Sequence, residues 1–167
     1  PWPLRVKGGK QLITQLRPPH QAAKRAEVST GDVQASRTGV SANASGEDSS
    51  IEAETGDINA GNTGVYASSS DGGKTEVKVE SIESESDRGV SAYSSGNGSS
   101  TTVEVSGEVS SEYTGVYTSS SDGGTTEVKV ESIESESGSG IYASSYGEGS
   151  STTVEVSGEV KSEGTDY

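Results

Sequence analysis

A glycine followed by an aliphatic residue returns at Gly39-Val40, Gly64-Val65, Gly89-Val90, Gly115-Val116 and Gly140-Ile141, at spacings of 25, 25, 26 and 25 residues. Two more signatures keep step with it. An apolar-x-apolar triplet recurs at Ala26/Val28, Ile51/Ala53, Val77/Val79, Val103/Val105, Val128/Val130 and Val154/Val156, and a single aliphatic at Val33, Ile58, Ile82, Val109, Ile133 and Val160, followed two residues later by Ala or Ser. A fixed period of this length marks a stacked repeat, and it must be settled before any motif is trusted. Within each period the apolar residues alternate, as in short strands, and turns rich in Ser, Gly, Asp and Asn separate them. Three brief strands per 25–26 residues predict an all-β chain coiled as a parallel β-solenoid of five to six coils. Helical repeats are excluded because apolar spacing of three and four is absent beyond residue 25. A propeller blade needs about 40 residues and is also excluded.

The expected interior is a set of aliphatic ladders made by Val28, Val33, Val40, Ile51, Ile58, Val65, Val77, Val79, Ile82, Val90, Val103, Val105, Val109, Val116, Val128, Val130, Ile133, Ile141, Val154, Val156 and Val160. One coil cannot stand alone. Its few aliphatic side chains contribute about 1.5–3 kcal/mol each, against a backbone entropy cost of about 1–2 kcal/mol per ordered residue. Only stacking at about 4.8 Å, strand on strand, makes the interior continuous and dry.

The strongest repeat is twice the coil. Residues 63–113 and 114–164 are identical at about 40 of 51 positions. Between the two apolar residues of the triplet the sequence reads Glu27, Glu52, Lys78, Glu104, Lys129, Glu155, so from the second coil the sign alternates. The preceding position reads Glu76, Thr102, Glu127, Thr153. Like charges facing across neighbouring strands are unfavourable and opposite charges favourable, so a two-coil unit lets an acidic chain stack in register.

Charge divides the chain. Residues 1–25 carry six basic residues and no acid, whereas residues 26–167 carry 6 basic and all 26 acidic residues. The first segment also holds every Pro, the only Trp and the only His. Two domains follow: a basic N-terminal cap or interaction arm over 1–25, and acidic β-solenoid repeats over 26–167. The arm residues are Trp2, Leu4, Arg5, Val6, Lys7, Lys10, Leu12, Ile13, Leu16 and Arg17. As a cap the segment covers the end of its own stack; as an arm it pairs with an acidic neighbouring copy. The −20 body argues against nucleic acid, and no apolar run reaches the roughly 18 residues of a membrane span.

The cadence VEVSGEV, TGVYTSSSDGGTTEVKV, GSGIYASSYGEGSSTTVEVSGEV resembles the repeat regions of bacterial surface and secreted proteins of the parallel β-helix type, adhesin-like and autotransporter-like passengers among them. The resemblance spans residues 26 to about 164. It implies a right-handed coil and an exported, elongated module at the cell surface that supports adhesion or surface structure.

No catalytic residues are expected. Glu83, Glu85, Glu134 and Glu136 repeat identically, without the distinctive basic or aromatic partners by which an active site breaks symmetry. No cofactor is expected beyond Ca²⁺, for which Asp71 and Asp122 of the SSSDGG turns are the candidate ligands; Gly and Asp serve a tight turn equally well. The adjacent pairs Thr101-Thr102, Thr125-Thr126 and Thr152-Thr153 each send one residue inward, which spoils a flat Thr array for ice. Tyr66, Tyr117 and Tyr142 suggest a partial aromatic ladder for carbohydrate, interrupted by Ser41 and Ser91. The expected function is a non-catalytic extracellular rod that self-associates head-to-tail into a homopolymer. The alternatives are a monomeric adhesin fragment binding host or glycan surfaces, and a polysaccharide-active β-helix enzyme.

Overall fold

The computed structural model describes residues 12–16, 24–47 and 49–164, with backbone alone for 12–16 and Lys24. Among these residues there is no helix, and every strand pairing is parallel. The chain coils into a β-solenoid of about five turns.

Its strands fall into three columns. The first runs through β2 (Lys24–Ser29), β5 (Ser49–Thr55), β8 (Lys74–Val79), the leading halves of β11 (Ser100–Ser111) and β13 (Thr125–Ser135), and β15 (Ser151–Val156). The second runs through β3 (Val33–Ala35), β6 (Ile58–Ala60), β9 (Ile82–Ser84), the trailing halves of β11 and β13, and β16 (Val160–Ser162). The third holds β1 (Leu12–Leu16), β4 (Val40–Ser45), β7 (Val65–Ser70), β10 (Arg88–Ser95), β12 (Thr114–Ser121) and β14 (Ile141–Tyr146). Strand β1 pairs with β4, setting Leu12, Thr14 and Leu16 in the register rows of Val40, Ala42 and Ala44. Sheet pairing therefore begins within the basic segment. Of the predicted arm, Leu12, Ile13 and Leu16 lie in β1, while Trp2, Leu4, Arg5, Val6, Lys7, Lys10 and Arg17 lie outside the described residues.

Alternation places the predicted ladder inside. Every member from Val28 to Ile133 is buried, joined by Ala42, Ala44, Ala53, Ala60, Ala67 and Ala92. On the last coil Ile141, Val154 and Val156 are partly buried, and Val160 is 44% exposed. No described strand lies beyond β14, β15 and β16 to cover them.

One register differs from the sequence alignment. Val77 lies opposite Ala53 rather than Ile51, and Lys78 opposite Glu54 rather than Glu52. Strand β5 carries a fourth inward residue, Thr55, and the next coil slides along it by two positions. A slip of two keeps every side chain on its face, whereas a slip of one would turn the strand inside out. The slide improves the charge row, which now alternates Glu54, Lys78, Glu104, Lys129, Glu155. The 51-residue unit has a backbone origin as well. Val79 and Ile82 are joined by Glu80-Ser81, but Val105 and Val109 by Ser106-Gly107-Glu108, and this longer corner shifts the register within β11.

The glycine of the recurring pair has a packing reason. A Cβ on Gly89 would fall within the van der Waals shell of Val109 Cγ1 on the next coil, and 2.8 Å from the Gly115 carbonyl oxygen. Gly39, Gly64 and Gly115 meet Ile58, Ile82 and Ile133 in the same way. At this corner the backbone comes so near the next coil that no side chain fits.

Where the third column turns into the first, the interior is polar but satisfied. Ser69 bonds Thr101 at 2.8 Å, Ser94 bonds Thr126 at 2.9 Å and Ser120 bonds Thr152 at 2.7 Å. The same threonines donate to backbone carbonyls of the third column. Thr118 is different. It stands in the row of Ala42, Ala67 and Ala92, fully buried, with a hydroxyl that has no partner. Replacing it by the isosteric valine removes an unsatisfied buried hydroxyl without opening a cavity, so Thr118→Val should raise stability by about 1 kcal/mol in a urea melt.

Candidate functional site

The outward face of the third column concentrates the aromatic residues. Period-two alternation sends positions one and three after the inward aliphatic to the surface, and in-register stacking makes each a row. The first row reads Ser41, Tyr66, Ser91, Tyr117, Tyr142, and the second Asn43, Ser68, Tyr93, Ser119, Ser144. Tyr93 stands in the second row on the one coil where the tyrosine series of the first is broken by Ser91. Its ring reaches diagonally to both neighbours, with centroids 5.6 Å from Tyr66 and 5.7 Å from Tyr117. Tyr117 then stacks on Tyr142 at 4.8 Å with the rings 10° apart. Four tyrosines make one unbroken series of ring contacts, tilted at the first two and stacked at the last, and Tyr146 stands beside its end on the same strand.

Sequence reasoning found Tyr66, Tyr117 and Tyr142 but took Ser91 as a gap. The missed signal is Tyr93 itself, two residues on and so on the same face, within diagonal reach of aromatic side chains across a strand pair.

Arg88 anchors the middle of the stack. Its guanidinium lies 4.2 Å from the Tyr117 centroid and donates from Nη1 to the Tyr93 hydroxyl at 3.1 Å. A cation over an aromatic face is attracted by the ring quadrupole. Asp87 lies 3.8 Å from Arg88 Nε, too far to accept a hydrogen bond from it. Burial pushes the Tyr93 phenol above its ordinary value, against the pull of Arg88. Tyr142 is raised as well, first through its hydrogen bond with the Tyr146 hydroxyl.

This geometry limits what the face can do. A sugar ring packs on an open aromatic face, but here Tyr117 and Tyr142 turn their faces toward each other, and Tyr93 meets Tyr66 and Tyr117 tilted by 40° and 44°. Tyr66 is 37% exposed, Tyr142 44% and Tyr146 60%.

The other surfaces are charged and repetitive. On the first column Lys78 pairs with Glu76 at 2.8 Å and Lys129 with Glu127 at 2.9 Å, and each lysine is raised above its ordinary value first by the hydrogen bond to that carboxylate. Glu83 and Glu134 share a row with Ser110 between them, and Glu83 accepts a hydrogen bond from Asn59 at 2.8 Å. Glu85 and Glu136 open the following corners, each donating its backbone N–H to the coil below. A shallow groove opens where the register slides between β5 and β8, lined by Arg25, Glu52, Lys74, Glu76 and Thr102, and Arg25 bridges Glu27 at 2.7 Å and Glu52 at 2.9 Å across it.

Asp71 and Asp122 sit at φ 52°, followed by Gly72 at 84° and Gly123 at 81°. Two successive left-handed residues are the requirement of a type I′ turn, which Asp-Gly meets. The coil between them turns instead through Gly96 and Gly98, also left-handed, so two turn designs alternate up this corner. Asp71 and Asp122 are two coils apart, and among the described residues no three His, Asp or Glu side chains converge as a metal site. Of the threonine pairs, Thr101 and Thr126 are buried and Thr102 faces outward. No protein-family model matches the chain, and no curated protein or solved structure matches it.

Proposed function

We propose that the protein is a non-catalytic structural rod, exported to the cell surface or beyond, whose copies stack head-to-tail. The observation that supports this most is the unbroken run of outward rows from the third coil to the last: Glu-Lys alternation on one face and stacked tyrosines on another. Surfaces that repeat coil after coil suit a scaffold, whereas an enzyme needs one place where the pattern departs. The resemblance to adhesin-like and autotransporter-like repeats points the same way.

Head-to-tail stacking is a heterologous contact that does not close, and it builds filaments. The last described coil offers unpaired strand edges and partly open aliphatic rows, the chemistry by which a further parallel coil adds. Its outward Glu155 calls for a cation on the coil above, and the basic segment of a second copy supplies one. Light scattering and negative-stain microscopy of the full chain should show particles longer than one copy, growing with concentration. Val160→Lys at the open row, or Arg5, Lys7 and Lys10 all changed to Gln, should return them to monomer length. A monodisperse monomer of the unaltered chain at every concentration sinks the filament reading in favour of a monomeric adhesin, which glycan-array binding would then support.

A further inference from the structure

The chain contains neither cysteine nor methionine, so its readily oxidised side chains are seven tyrosines and Trp2. Disulfide linkage between copies is closed to it. Five of the seven tyrosines, Tyr66, Tyr93, Tyr117, Tyr142 and Tyr146, lie on the one outward face of the third column. Four of those are in ring contact.

We propose that this face is an oxidative cross-linking site, at which Tyr142 and Tyr146 couple through their ortho carbons to the same residues of a second copy when a peroxidase-class oxidant acts on the stack. Each of the two phenols gives one electron to the oxidant and its hydroxyl proton to water. The two radicals join in a new C–C bond between ortho carbons, and each ring regains aromaticity as its ortho hydrogen moves to the phenol oxygen. With hydrogen peroxide as terminal acceptor, two tyrosines and one peroxide yield one dityrosine and two waters.

Three features favour that end of the stack. Parallel rings in contact share the electron deficiency, and Tyr117–Tyr142 is the pair with the smallest separation and the smallest tilt. Arg88 sets a positive charge against Tyr93 and Tyr117, which disfavours loss of an electron there and leaves the deficiency to settle on Tyr142. Tyr117 covers one face of Tyr142, yet Tyr142 is 44% exposed and Tyr146 60%, so both rings are within reach of a second rod. Tyr117 and Tyr142 meet face to face and cannot form the edge bond, whereas Tyr142 and Tyr146 meet through their hydroxyls, so coupling within one chain competes at that pair and covalent dimer is the readout that separates the two. Tyr113 is the internal comparison: it is 55% exposed, between Tyr142 and Tyr146 in accessibility, and belongs to none of the ring pairs among the described residues, whereas Tyr146, in none of them either, is tied to the stack through its hydroxyl contact with Tyr142.

The experiment treats the full chain, carrying Tyr167→Phe so that the last residue adds no phenol, with a haem peroxidase and hydrogen peroxide. Dityrosine fluorescence and covalent dimer are followed, and linked peptides are identified by mass spectrometry. Links through Tyr142 and Tyr146 should exceed those through Tyr113 several-fold. Tyr142→Phe with Tyr146→Phe keeps the rings and should cut dimer yield several-fold, while Tyr113→Phe leaves it unchanged. Equal linkage at Tyr113, or an equal loss of yield in Tyr113→Phe, would show that exposure alone selects the site and overturns the proposal, as would the absence of dityrosine.

Discussion

Gly89→Ala should strongly destabilise the middle of the solenoid. The added methyl would have to occupy space already held by Val109 Cγ1 and by the Gly115 carbonyl, which lies 2.8 Å away. Neither can yield cheaply, because Val109 is fully buried and Gly115 belongs to β12, which is hydrogen-bonded to β10 below it and to β14 above it. Overpacking of a close-packed interior costs about 1–3 kcal/mol, and occasionally more. Here a backbone atom is part of the clash, so the upper end or beyond is expected, read as a fall in urea midpoint by circular dichroism. The combination with Val109→Ala supplies a further check. Val109→Ala alone leaves a cavity, but together the two changes should cost less than the sum of each, since the new methyl enters the emptied space. Strict additivity would mean that Gly89 matters for backbone conformation rather than for space. The carbonyl contact remains in the double variant, so rescue should be partial.

Val103→Asp should have a still larger effect. Val103 is completely buried between Val77 and Val128 in the central coils, with no polar side chain in its row. A carboxylate placed there is an unpaired buried charge, a change whose cost exceeds about 4 kcal/mol. Because each coil of a solenoid is supported only by its neighbours, the damage should divide the array rather than stay local. Strand content at neutral pH should fall sharply, and amide exchange should quicken across β8, β11 and β13. Acid should restore part of the structure, since protonation removes the charge and leaves a neutral though still polar carboxyl group. An unchanged melt at neutral pH would place Val103 outside the core.

These two positions show how much of the fold could be read from residues alone. The period, three strands per coil and the identity of the ladder were all legible, since side chains on a strand alternate and a stacked coil demands the same residue type in the same place. Val103 was such a residue. The glycine at the head of each pair marked the period without revealing its reason, which is the approach of the next coil's Val or Ile to that backbone. Candidate site residues were legible in part. Tyr66, Tyr117 and Tyr142 were visible as a row, yet Tyr93 and Arg88 join them only because neighbouring strands bring a diagonal neighbour into contact. Asp71 and Asp122 were ambiguous between metal ligand and turn residue, and their positive φ accounts for them as turn residues.

By itself the sequence determined which side chains face inward and which outward, and that identical coils stack, because both follow from strand periodicity and from the need to bury small aliphatic ladders. Only the tertiary structure decided which coil position meets which. Inward burial is satisfied equally by any register differing by two, so Ile51 could have faced Val77. Thr55 on β5 and the backbone corners select the slide that sets Ala53 there instead, with Glu54 opposite Lys78. The tyrosine stack has the same origin: alternation puts five rings on one face, and the register between coils turns four of them into a continuous column.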